Sequence, residues 1–194
     1  GLSVGLLASR AYVEGPYGRG EDGDAAGSYM LAVRRSTLEP LLAVLQSADT
    51  DGIPDSFYFY DINAKVGYDA GPNDRLSLAL YGGQDVLDLA PFDDGRFDIQ
   101  YGNQTASADW THLLSDYVFT HLTLTGSRYA STPVAEIGGT RFTQKNTVHD
   151  YSLKADVEYQ PNQHHALEAG VWAGTLAFEL ANTFDGTENF RQRI

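Results

Sequence analysis

The chain has 194 residues, with 20 Gly, 12 Tyr and 9 Phe but a single Met, a composition typical of strands and turns. Asp and Glu (26) exceed Lys and Arg (13), giving a formal net charge of −13 that argues against nucleic acid as a partner. With no Cys there is no disulfide or thiolate metal site, and no apolar run reaches the roughly 18 residues of a transmembrane helix.

The N-terminal region predicts two strands. Apolar residues alternate from the first residues onward, at Leu2, Val4, Leu6 and Ala8, with no signal peptide ahead of them. A second alternating stretch covers residues 29–34, and the glycine-rich residues 15–27 between the two are longer than a tight turn. We therefore expect a mature protein or an excised segment that begins within a series of strands.

Residues 37–56 predict a long connection. Leu38, Leu41, Leu42 and Leu45 recur at helical spacing after Thr37, a candidate N-cap, which indicates a short helix over a barrel rim or a lid over a ligand. The following loop offers three carboxylates, which could hold Ca²⁺ or simply hydrate an external loop: Asp49, Asp51 and Asp55.

Two strands alternate most clearly, over residues 58–69 and 150–159. In the first, Tyr60, Ile62, Ala64, Val66 and Tyr68 share one face, with charged and polar residues on the other. The second follows the same plan. Shorter alternating stretches lie near residues 76–80, 106–111, 121–125 and 167–171, which makes eight candidate strands in all.

Two features favour a bilayer over a water-soluble sandwich. Tyr residues eight positions apart bound both clear apolar rows, and eight residues tilted by about 40° rise on the order of 20 Å, close to the apolar band of an outer-membrane barrel. Short turns near residues 70–74, 113–117 and 161–165 alternate with long loops near residues 37–56, 85–100 and 131–147. The prediction is an all-β, antiparallel, up-and-down transmembrane β-barrel, formed by residues 1–194 as one small barrel or as an arc of a larger one.

In such a barrel the charged residues of the strands would face the lumen. Cross-strand ion pairs are the ordinary interpretation of these residues, and contact with a substrate or a plug is the alternative. The candidates are Arg34, Asp61, Lys65, Asp109, Lys154, Asp156 and Glu158.

Catalytic motifs are absent from the sequence. His164 and His165 lie in a predicted turn without a third metal ligand nearby, and there is no nucleophile elbow or phosphate loop. We therefore expect no enzyme activity, although an outer-membrane hydrolase that uses Ser and His on the barrel wall is a further alternative.

Several stretches, in order, resemble the barrel strands of TonB-dependent outer-membrane receptors. They are FYFYDINAKV (57–66) with NDRLSL (73–78), SYMLAVRRS (28–36), YGNQT (101–105) with WTHLLSD (110–116), and DYSLKAD (150–156). The resemblance covers residues 5–178 and implies a wide barrel filled by a plug domain, which imports a scarce nutrient with energy delivered by TonB.

The chain departs from that family's pattern because it contains no plug, no TonB-contact segment and no later strands. The nutrient could be a siderophore, vitamin, saccharide or peptide. The alternative is a self-contained small outer-membrane barrel that acts as a structural anchor or an adhesion protein.

Overall fold

The computed structural model describes residues 1–20, 25–48, 53–92 and 94–194, which form one antiparallel sheet and one helix. Each strand pairs with its neighbours in the chain, and the first and last strands do not pair with each other, so the sheet is open. The elements are β1 (Leu2–Val4), β2 (Ala8–Tyr17), β3 (Gly27–Ser36), α1 (Glu39–Ser47), β4 (Ser56–Asp69), β5 (Asp74–Phe92), β6 (Gly95–Ser115), β7 (Val118–Ile137), β8 (Thr140–Asn162), β9 (His165–Phe184) and β10 (Thr187–Arg193).

The all-β, up-and-down prediction is confirmed, but the number of strands differs. The described residues form ten strands where eight were expected. The predicted first strand is divided into β1 and β2, because the chain turns back at residues 5–7 and Val4 pairs with Ser9. The polar strand β10 carries Glu188, Arg191 and Arg193 and offers no apolar alternation by which to find it.

The register sorts the side chains onto two faces. We call face A the one that carries Tyr60, Ile62, Ala64, Val66 and Tyr68, and face B the one that carries Asp61, Asn63 and Lys65. Cross-strand partners share a face, so one line of partners places these residues together on face A: Tyr29, Val66, Leu78, Ala108, Leu124, Leu153 and Ala173. The predicted apolar rows therefore lie on one side of the sheet, as expected.

Different kinds of turn connect the strands at the two ends of the sheet. The end that we call lower carries the short turns between β4 and β5, β6 and β7, and β8 and β9, and all three were predicted. At the upper end, the predicted long loops at residues 85–100 and 131–147 are wrong, because residues 85–92 and 95–100 lie in β5 and β6, and residues 131–137 and 140–147 lie in β7 and β8. β7 and β8 join through Gly138 and Gly139, whose φ angles of 59° and 78° form the two-residue turn that suits twisted strands.

Very few side chains are covered in this sheet. Among the described residues, the buried apolar ones are Val86 and Ala181, and the buried polar one is Ser36. The residues that the structure describes form no second layer over the sheet, so the stability of this sheet depends on its backbone ladders and on whatever covers the apolar surface.

Helix α1 lies in the long connection predicted at residues 37–56. Leu38 rather than Thr37 is its N-cap, because the Thr37 hydroxyl donates to the Gly5 carbonyl at 2.7 Å. The Gln46 amide donates to the Pro54 carbonyl at 2.7 Å, which ties the helix to the start of β4, and none of its residues is buried. No helix in the described ranges combines the length and apolar character needed to cross a membrane.

Candidate functional site

The lower half of face A is an exposed apolar surface, which we call the apolar band. Its exposed fractions include 47% for Ile62, 42% for Leu78, 52% for Leu124 and 45% for Val157. Several of the residues that alternate with them on face B are half-buried, namely Asp61, Asn63, Ser77, Asp109 and Thr125, whereas Lys65, Lys154 and Glu158 are exposed. This is the reverse of a water-soluble domain, in which the apolar face is the covered one.

Aromatic residues with polar tips mark the borders of the apolar band. At the upper border, the Tyr60 hydroxyl donates to Gln84 Oε1 at 2.6 Å. At the lower border, Trp110 Nε1 donates to Asp74 Oδ1 at 2.8 Å, and the Tyr17 hydroxyl donates to the Gly67 carbonyl at 3.1 Å. Each ring therefore combines an apolar body with a satisfied polar tip, the arrangement found at an apolar–water boundary.

Two tyrosine pairs bound the apolar rows, Tyr60 with Tyr68 on β4 and Tyr151 with Tyr159 on β8. The second pair is offset from the first along the strand direction. The register line from Tyr60 crosses the sheet through Gln84, Gly102 and Ala130 and reaches Thr147 on β8. Tyr151 lies four residues below Thr147 along β8. The line from Tyr68 likewise reaches Ala155, four residues above Tyr159, so both borders shift by one residue for each strand crossed.

All seven residues predicted to face the lumen lie on face B: Arg34, Asp61, Lys65, Asp109, Lys154, Asp156 and Glu158. Arg34 pairs with Asp61 across β3 and β4 at 2.6 Å, so this cross-strand ion pair forms as expected. Lys154 instead contacts Asp156 on its own strand at 2.9 Å. Lys65 and Glu158 have no hydrogen bond or ion pair within the described ranges.

Asp109 is the centre of a hydrogen-bond network on face B. Its two carboxylate oxygens accept from the Thr123 hydroxyl at 2.9 Å and the Ser77 hydroxyl at 3.3 Å. His121 lies between Thr123 at 3.0 Å and Thr111 at 2.9 Å, with its Nε2 3.7 Å from Asp109 Oδ1. The sequence predicted the face of Asp109 but not this network of partners.

The network brings a hydroxyl, an imidazole and a carboxylate together without a site for acyl transfer. Thr111, His121 and Asp109 are the residue types of a nucleophile, a base and a carboxylate, although Asp109 lies 3.7 Å from His121 Nε2, beyond hydrogen-bond distance. However, β6 and β7 are paired on both sides here, so their backbone N–H groups are engaged in the ladders and none is free to stabilise an oxyanion. This geometry gives the hydrolase alternative no support.

Above the apolar band the polarity of the two faces is exchanged. Face B becomes apolar and aromatic, with Phe57, Phe59, Leu87, Phe97, Ile99, Tyr101, Tyr129 and Phe178. Face A becomes mainly polar, with Gln84, Gln100, Gln104, Arg128, Thr132 and Thr147, although Tyr58 and the buried Val86 also lie on it. The sequence interpretation missed this second surface, although the alternation of Phe97, Ile99 and Tyr101 was a usable signal.

A charged cluster lies on the upper part of face A. Asp88 and Asp98 are directly opposite each other, and Arg96 pairs with Asp88. This contact, together with Asp55 and Asp98, raises the pKa of the Arg96 guanidinium. Arg96 therefore offsets the repulsion between two facing carboxylates.

The predicted calcium loop falls largely outside the described residues. Asp49 and Asp51 are not described, and Asp55 lies just before β4, where its N–H donates to the Asp88 carbonyl at 2.8 Å. Within the described ranges no three His, Cys, Asp or Glu residues form a group that could hold a metal. His164 in the β8–β9 turn and His165 at the start of β9 are both exposed, as predicted, and the His164 N–H and the His165 ring both contact Asn162 Oδ1.

Comparisons of this chain with protein-family models, with curated proteins and with solved structures found no match. The resemblance to TonB-dependent receptors therefore stays a prediction from the sequence.

Proposed function

We propose that this chain is a section of the wall of a bacterial outer-membrane β-barrel, of the TonB-dependent receptor type, through which a scarce nutrient is imported. The observation that carries the proposal is the inverted exposure of the lower half of the sheet. Apolar side chains such as Ile62 and Leu124 are exposed on face A, while the polar side chains beside them are half-buried on face B.

A bilayer accounts for this inversion because it replaces water as the solvent of face A. About ten large apolar side chains on one side of a sheet would be costly in water, at roughly 25 cal/mol for each Å² of apolar surface. Facing acyl chains, the same side chains are in their preferred medium. The backbone of the interior strands is already paired on both sides at the level of the apolar band, as hydrocarbon requires.

The offset of the tyrosine borders supports the same interpretation quantitatively. A shift of one residue per strand is about 3.3 Å along a strand for each 4.8 Å across the sheet, which corresponds to a tilt of about 35° if the borders lie in one plane. Barrel strands in outer membranes tilt by about 35–45°. An independent feature of the sequence, the placement of Tyr, therefore agrees with the register of the sheet.

The free edges of the sheet favour an arc of a wider barrel over a closed small one. β10 pairs with only the upper part of β9. Residues 165–177 of β9 therefore have no neighbouring strand, among the described residues, on the side away from β8, and Val171 is 72% exposed there. Unpaired edges are not tolerated in hydrocarbon, so further strands would have to complete the wall. The order of the six resembling stretches supports the receptor family in particular.

In the proposed receptor, face B would surround the plug at the level of the apolar band. Lys65 and Glu158 are charged, carry no partner in the described ranges and point to that side, so they are candidates for contact with the plug. In that receptor, TonB would contact a segment that is not among these residues. The nutrient could belong to any of the four classes named above.

Spin labels test the orientation of the faces, and the absence of Cys from these 194 residues means that no native thiol in this part of the wall takes up label. We would place labels at Val66 and Leu124 on face A and at Lys65 and Thr125 on face B of the full-length protein in membranes. Face A labels should be more accessible to oxygen, which partitions into lipid, and face B labels to a water-soluble nickel complex. Equal access of the nickel complex to all four positions would contradict the proposal.

Uptake assays test the transport step separately. Deletion of the full gene should abolish growth on one limiting siderophore, vitamin, saccharide or peptide, and a TonB deletion should give the same defect with no additive effect. A membrane-embedded protein whose deletion affects no nutrient would instead favour the structural anchor or adhesion protein.

A further inference from the structure

A groove made of adjoining depressions lies along face A, from its polar upper part into the apolar band. Three depressions form it, with volumes of about 190, 410 and 640 Å³ from top to bottom. The upper and middle depressions share Gln104 and Arg128. The middle and lower ones share Ala106, Gly126 and Tyr151. The adjoining depressions therefore extend across the upper border of the apolar band.

The mouth of the groove is cationic and rich in amides. Arg128 lies directly opposite Gln104 on β6 and His149 on β8. The diagonal positions on face A are Gly102, Ala106, Thr147 and Tyr151, so no carboxylate lies directly or diagonally opposite Arg128. Two other arginines on this face, Arg96 and Arg193, are paired with carboxylates, and Arg141 has Glu136 directly opposite it. The Arg128 guanidinium has no partner within the described ranges.

The lower part of the groove suits an acyl chain. Leu78, Leu124, Leu153 and Ala173 line it, and small residues form its floor beside Tyr151. A Cβ added at Gly126 would lie 3.2 Å from the Tyr151 ring, so glycine keeps this passage open. The His149 ring stacks on Tyr151 with 6.4 Å between the ring centroids, which places an imidazole at the point where the apolar lining ends.

We propose that this groove binds a membrane amphiphile with a phosphate-bearing, anionic headgroup. The headgroup lies on Arg128 and His149 with Gln104 as a hydrogen-bond donor, and one acyl chain lies along Ala106, Gly126 and Leu124. The guanidinium is the side chain best suited to a phosphate, and its position above the apolar lining matches the geometry of a lipid whose chain points into the bilayer. This inference rests on the proposed membrane function of face A.

The test measures lipid retained by the full-length protein in nanodiscs, by native mass spectrometry, with dioleoyl phosphatidylglycerol as the anionic probe. Arg128→Gln should lower its apparent affinity about tenfold, the loss expected for one charge-assisted hydrogen bond. Arg141→Gln, which removes the same charge from face A outside the groove, is the control and should have no effect. Equal loss in both variants would mean diffuse attraction and would overturn the proposal.

Two further measurements identify the ligand, one with a variant that blocks the groove and one with competing ligands. Ala106→Phe, which blocks the passage, should reduce retention of phosphatidylglycerol, whereas unchanged retention would overturn the role of the acyl chain. Inorganic phosphate should not compete, and phosphatidylcholine should be retained less, because competition or equal retention would indicate a site for a free anion or for any lipid. If the spin labels show face A in lipid while Arg128→Gln changes nothing, this inference fails and the proposed function stands.

Discussion

Arg34 and Asp61 face each other across β3 and β4, and both Nε and Nη2 of the guanidinium lie within 2.7 Å of the same carboxylate oxygen. The Asp61 side chain is only 11% exposed, whereas that of Arg34 is 53% exposed. The guanidinium also lies over the Phe59 ring, with Cζ 4.9 Å from the ring centroid. The pair therefore joins the charged lower part of face B to its aromatic upper part.

Arg34→Gln should leave the Asp61 carboxylate half-buried without its partner. We expect the free energy of unfolding to fall by about 1–2 kcal/mol, between the values for exposed and buried ion pairs. Urea titration of the reconstituted protein measures it. The double variant with Asp61→Asn should recover part of the loss, and no recovery would show that Arg34 acts through Phe59 alone.

Leu124→Arg should be far more destabilising than Thr125→Arg, its neighbour on the other face. An arginine on the lipid-facing side near the middle of a bilayer costs about 2–4 kcal/mol, whereas on a lumen-facing side it is tolerated. Unfolding in vesicles compares the two. If the sheet faced water on both sides, neither variant would differ from the parent by this amount.

Asp74 should make the free energy of unfolding depend on pH in the acid range. Hydrogen bonds from Trp110 and His112 hold the pKa of the Asp74 carboxyl below its ordinary value of 3.8. A lowered folded-state pKa means that the stabilisation is present above pH 3.8 and is lost as the pH falls through the folded-state value. Asp74→Asn should therefore be less stable than the parent at pH 7, and the difference should shrink at pH 3.

Asp116→Asn serves as the control for this measurement, because Asp116 is exposed in the neighbouring β6–β7 turn. It should leave the stability at both pH values unchanged. A difference between parent and Asp74→Asn that is the same at pH 7 and pH 3 would contradict the assignment.

Gly138→Val should destabilise the β7–β8 hairpin by about 1–2 kcal/mol, because a β-branched residue must adopt a left-handed conformation there. Nothing lies within 4 Å of a Cβ at this position, so crowding does not contribute. Gly138→Asn should retain most of the stability, since Asn tolerates positive φ. Thermal unfolding compares them, and equal losses would point to a cause other than backbone conformation.

The sequence predicted the lower half of the sheet well because a period of two fixes which side chains share a face. Ile62, Lys65, Leu153 and Lys154 all lie on the expected faces. The odd or even position of a residue along its strand decides which face it lies on, whether that face meets water or lipid.

The upper half was predicted as loops because the apolar side of the strands changes there. On β5 the apolar residues move from Leu76, Leu78 and Leu80 on face A to Leu87 on face B, with Gly82 and Gly83 between them. This switch of the apolar positions from even to odd residue numbers interrupts the alternation, and in a single sequence such an interruption looks like the end of a strand. The partners of Asp109 depend on residues more than ten positions away, so no local pattern could have identified them.

The one-residue shift of the borders also limits how wide a passage this wall could enclose. At a tilt of about 35°, each strand occupies about 5.9 Å of circumference, so ten strands cover about 59 Å. Rolled into a complete cylinder, they would have a backbone radius of about 9–10 Å, and inward side chains would fill most of that bore. A lumen that admits a folded domain needs roughly twice this circumference, to which the ten strands would contribute about half.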